Sequence, residues 1–143
     1  MNHPQSLAEK LYQQFPCTKL KSIKENACCI LTLMWCLGIE PDDCEAIMTV
    51  GRMLDKKVLD SDCTVYWNKC SLYLTGKPLN VQFAEITDKK QLKKIKERTP
   101  VYFEYNGKGH WVGVEQGKIG FSSLDHSVCV EKGKPTKARI LLF

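Results

Sequence analysis

No pair of cysteines in this sequence has the C-x-x-C spacing of a zinc ribbon or a dithiol redox site, although the chain carries eight cysteines in 143 residues. Only His126 and Cys129 stand at a ligand-like local distance, so no metal site is expected. Long apolar runs are also missing. The longest, from Cys28 to Gly38, is interrupted by Thr32 and is far shorter than the roughly 20 residues a bilayer-spanning helix needs. The first residues, Met1 to Gln5, lack the basic-then-apolar order of a secretory signal, so the expectation is a cytoplasmic protein with free thiols and no membrane partner. Neither G-x-S-x-G nor H-E-x-x-H occurs, which removes the standard serine-hydrolase and zinc-protease chemistries. Gly107 and Gly109 belong to a hairpin turn rather than a phosphate-cradling loop, so nucleotide hydrolysis is not indicated.

Arginine is scarce, and the lysines of 89–98 and 132–139 are not interleaved with aromatics. A nucleic-acid platform is therefore not expected, and the net charge of +5 reads as solubility. No linker, repeat or low-complexity segment divides residues 1–143, and with 43% hydrophobic residues the chain can form one core without a staple.

The periodicity changes part-way along. Ser6 and Glu9 have capping-box spacing ahead of Leu7, Leu11 and Phe15, predicting a helix that ends before Pro16. After a polar link, Asn26 can cap a second helix that is apolar almost all round from Cys28 to Leu37 and stops at Gly38, so it must be central and buried. Pro41, Asp42 and Asp43 start a third helix. Asp60, Ser61 or Asp62 starts a fourth that ends at Gly76, with Cys63, Tyr66, Trp67 and Cys70 as a core stripe. A strand over Val81 to Ile86 and a lysine-rich helix from Asp88 follow. Strands at Val101 to Tyr105, His110 to Glu115 and Ile119 to Leu124 make a meander, with two more at Ser127 to Glu131 and Ala138 to Phe143. The prediction is an α+β domain: a helical half with a central buried helix packed on a C-terminal antiparallel sheet.

Chemistry can arise where Cys28 opens the buried helix, since the unsatisfied N–H groups of a first turn favour a thiolate. His110, just past a glycine turn, could serve as its base, and Asp125, after the next strand, could orient the imidazole. Cys29 replaces Cys28 if the helix starts one residue later, and His126 is an alternative third group.

Cys28 opening a hydrophobic helix, the run Gly109-His110-Trp111-Val112-Gly113-Val114 and the trailing Asp125 together resemble the papain-like superfamily, particularly its compact bacteriocin-processing peptidases. The text from Ala27-Cys28-Cys29-Ile30-Leu31 through Leu59-Asp60-Ser61-Asp62-Cys63-Thr64-Val65 is also similar to DUF261, a family of small bacterial and prophage proteins that brings no activity with it. The first resemblance implies Cys28 as nucleophile, His110 as general base and then acid, and Asp125 as the orienting group. It also implies an oxyanion-stabilising glutamine upstream, where this chain has Ser22 and Ile23; Asn26 or the Cys28 backbone N–H would have to stand in. The implied function is a cysteine hydrolase of peptidase or amidase type, acting through an acyl-enzyme on a peptide or protein and needing no cofactor. The missing glutamine and the doubled cysteine point instead to a catalytically lapsed scaffold that binds a protein partner, inside the cell and in a phage context.

Overall fold

A computed structural model describes residues 1–143 as an α+β domain of seven helices, one of them a 3₁₀ turn, and one five-stranded antiparallel sheet. Helix α1 (Pro4–Gln14) begins at a proline, whose fixed φ suits a first helical turn. The anticipated capping box does not form, because Ser6 already lies inside the helix and its hydroxyl is turned to Asp125 instead. The segment expected as a polar link is helix α2 (Thr18–Asn26), amphipathic with Ile23 inward. It joins α3 (Cys28–Cys36) through a single non-helical residue, the fully buried Ala27. Asn26 is therefore the last residue of α2 and caps nothing.

The remaining helices follow the sequence signals more closely. In α3, six of nine residues are buried, and Gly38 closes it in the left-handed region at φ +77°. Asp42 caps α4 (Asp43–Asp55) by accepting the Glu45 N–H at 2.8 Å. Helix α5 (Trp67–Thr75) ends at left-handed Gly76 as expected but starts later than Asp62. There Asp62 accepts both the Thr64 N–H and its hydroxyl, so the chain turns rather than coils and leaves Cys63 at φ +61°. No helix is long and apolar enough to cross a membrane.

The strands β1 (Asn80–Glu85), β2 (Thr99–Tyr105), β3 (Lys108–Glu115), β4 (Lys118–Phe121) and β5 (Lys134–Leu142) stand in the order β1-β5-β2-β3-β4. Residues expected as a strand near 127–131 instead form the short helix α6 (Val128–Lys132), and the lysine-rich helix contracts to a 3₁₀ turn, Lys89–Lys94, boxed by Asp88 and Gln91. Strand alternation gives the sheet two apolar faces. Val101, Phe103, Val112, Val114 and Ala138 pack with Leu92 and Cys129 on one side. On the other, Trp111, Gly113 and Phe121 receive the helical half, and α3 lies directly on β3.

Trp35 is the seat of that contact. Its ring stacks on Phe121 (centroids 6.1 Å apart, planes 15° apart) and lies over Gly113 and Gly120, where an added Cβ would intrude on the indole. The Arg98 guanidinium covers the outer face at 4.1 Å and donates to the Trp35 carbonyl at 2.7 Å. Because the overlap at Gly113 is with a rigid ring, Gly113→Ala should lower stability by about 1–3 kcal/mol, measured as a lower urea midpoint at constant m-value. Trp35→Phe should cost less in the Gly113→Ala background than in the wild type, since the smaller ring relieves the clash.

Candidate functional site

Cys28, the first residue of α3, is half-buried against the main chain of Trp111. Burial pushes its thiol pKa up, and the backbone N–H groups of Trp111, Cys29 and Cys28 itself oppose that rise without overcoming it. One turn on, the Thr32 hydroxyl donates to the Trp111 carbonyl at 3.4 Å, so α3 rests on this residue at two successive turns. Burial raises Cys29 further still, which leaves both thiols protonated at neutral pH.

His110 is one residue before Trp111 in β3 and so projects from the opposite side of the sheet, the side of Val112 and Val114. It is 3% exposed, and its Nε2 is 3.0 Å from the Ser122 hydroxyl. Ser122 uses its single proton on the Leu124 carbonyl, so the imidazole is the donor through Nε2–H. Burial alone lowers its pKa to about 4, and no charged neighbour contributes. Asp125 is exposed; its Oδ1 accepts from the Ser6 hydroxyl at 3.0 Å, and that hydrogen bond leads the lowering of its pKa. His126 is open to solvent near Glu131. The fold therefore does not bring Cys28, His110 and Asp125 into one constellation. The physical reason is the period of two along a strand: the residue that β3 turns toward Cys28 is Trp111.

What Cys28 borders instead is an aromatic pocket of about 380 Å³ walled by Trp67, Phe83, Tyr102 and Trp111. Asn26 lines it too, as an exposed rim residue. Trp111 meets Trp67 edge-on (6.1 Å, 73°) and Tyr102 at a tilt (5.0 Å, 51°). The Arg139 guanidinium sits 3.9 Å from the centre of the Phe83 ring and 5.3 Å from that of Trp111, and the Lys137 ammonium 4.5 Å from Tyr102. Neither cation has a carboxylate within ion-pair distance. Sequence reasoning counted Arg139 only toward the positive charge of the C-terminal tail. The available signal was the alternation Lys137-Ala138-Arg139 within an apolar strand, which puts both cations on one face. No three His, Cys, Asp or Glu side chains are placed to share a metal ion. No family model, curated protein or solved structure matches this chain.

A histidine whose folded pKa is depressed stabilises the fold above its unfolded value of about 6.5, and that contribution is lost as pH falls toward 4. At about 1.4 kcal/mol per pKa unit, the unfolding free energy read from denaturant melts should drop by a few kcal/mol between pH 7 and pH 4. His110→Gln should flatten the part of that slope between pH 6.5 and 4.

Proposed function

We propose that this protein is a non-catalytic binding module whose ligand site is the aromatic pocket beside Cys28, and that its partner is a peptide or protein segment. The single observation carrying this reading is the side of β3 that faces Cys28: an indole stands there, and the imidazole is sealed in the second core. A thiol pushed above its ordinary pKa, without a base, does not form the thiolate that acyl transfer requires. The arrangement supplies recognition groups instead. Two tryptophans, a tyrosine and a phenylalanine give apolar area at low entropic cost, and Arg139 gives a fixed charge among them. A buried helix with a cysteine at its tip, laid on an antiparallel sheet, is consistent with a papain-like scaffold that has lost its chemistry. Eight free thiols favour a reducing, cytoplasmic setting for it.

The hydrolase alternative requires the histidine on the other side of β3, which a one-residue register change would demand of every neighbouring side chain. Limiting iodoacetamide labelling from about pH 5 to 9, mapped by mass spectrometry, separates the two. Exposed Cys17 and Cys44 should label before Cys28, and Cys28 should show no inflection below the free-thiol value of about 8.5. Its profile should be the same in His110→Ala. A fast-reacting Cys28 with a low inflection that His110→Ala removes would restore the enzyme.

A further inference from the structure

The pocket continues into a second groove of about 860 Å³ that shares Val65, Trp67 and Phe83 with it and runs between α5 and β1. This groove ends at the outer edge of the sheet. β1 is the terminal strand, paired on one side with β5 in unbroken register from Asn80↔Leu142 to Glu85↔Lys137. The Ile86 N–H donates inward to the Thr136 carbonyl at 2.9 Å, so strand alternation points the main-chain groups of Val81, Phe83 and Glu85 outward. None of those three N–H groups meets a protein acceptor.

Sheets ordinarily protect such an edge with lysine, proline, a bulge or extreme shortness. The opposite edge does so: β4 has four residues, begins at Lys118 and pairs through a register shift. β1 has six residues, no proline, no lysine and no bulge, and it presents Phe83 at 68% exposure. An unguarded edge beside an aromatic groove has the form of a strand-addition site.

The charges select the occupant. The acids that line the two grooves have partners: Asp60 accepts from the Tyr66 hydroxyl, Asp62 from Thr64, and Glu25 pairs with Lys24. Lys69 donates to the Lys57 carbonyl. Arg139 donates only to its neighbouring Ala138 carbonyl, so the rest of its planar fork is free while Phe83 covers its face. A stacked guanidinium with an open fork suits a carboxylate held in its plane. Arg139 is in register with Phe83, in the middle of β1 rather than at its end, so the carboxylate it meets comes from within an added strand and not from a chain terminus.

Building on the non-catalytic reading, we propose that β1 is extended by a segment of a partner protein, in which an acidic residue flanked by alternating apolar ones pairs with Arg139. Its main chain pairs with the outward groups of Val81, Phe83 and Glu85. Its apolar side chains lie in the groove against Trp67, Val81 and Phe83.

The test titrates the full chain with an acetylated, amidated eight-residue peptide of alternating threonine and valine bearing one central glutamate. Comparison peptides carry glutamine there, or glutamine with a free terminal carboxylate. Binding is read from Trp67 and Trp111 emission and from hydrogen exchange at the Val81, Phe83 and Glu85 amides. The glutamate peptide should bind, slow those three amides and exceed the glutamine peptide by about tenfold or more. Arg139→Gln should make the two equal. Val81→Pro removes an outward N–H, which an edge strand tolerates, and should abolish binding; a backbone N-methylated glutamate peptide should fail on the unmodified protein for the same reason.

No binding of the glutamate peptide, equal binding of the free-carboxylate peptide, or protection outside β1 would overturn the proposal. So would concentration-dependent protection of the same amides in the protein alone, which assigns the edge to a second copy. Cleavage of the peptide would instead overturn the non-catalytic reading, whereas intact, unbound peptide overturns strand addition alone.

Discussion

The contact between α3 and the main chain of β3 decides what this molecule can do. Trp35 needs two glycines beneath it, and Gly113 and Gly120 provide that flat seat on neighbouring strands. Once the indole is down, the first turns of α3 fall on Trp111, where Thr32 and Cys28 meet its carbonyl and N–H. Helix position and strand parity are then locked together. Sliding β3 by one residue would bring an imidazole to Cys28, but it would also replace Gly113 under Trp35 with a valine and empty the second core of Val112 and Val114.

That coupling explains why the element types were more legible than the site. Six of the nine α3 positions are buried, so its centrality could be read from a run with no polar face. The glycine stops at Gly38 and Gly76 and the cap at Asp42 are local signals and appear where local chemistry puts them. Helix α2 was hidden by its lysines, which outnumber a thin apolar stripe at Leu20 and Ile23. The Cys28–His110 pairing failed for a different reason: sequence order says that a histidine lies in a strand, but the face it takes depends on a register set by Trp35. His110 has the neighbours of a core residue, with a half-buried serine hydroxyl as its partner, and nothing in the run Gly109-His110-Trp111 distinguishes that from a catalytic base.

Arg139 illustrates the same limit from the other direction. As part of a basic tail it looked like a solubility residue, yet β5 pairs with β1 and sets it opposite Phe83 and within reach of Trp111. Long-range strand pairing set an ordinary cation among aromatic rings. The aromatic side chains involved come from α5, β1, β2 and β3, so the pocket has no sequence-local trace.

The insertion of β5 between β1 and β2 bears on how the protein is made. Until residues 134–142 leave the ribosome, β1 has no strand neighbour on either side, and a nascent chain must leave both its main-chain edges unpaired while the helices and the β2–β4 meander are already available. Synthesis therefore passes through a stage in which a bare strand waits for its complement, the kind of unpaired edge that invites misassociation.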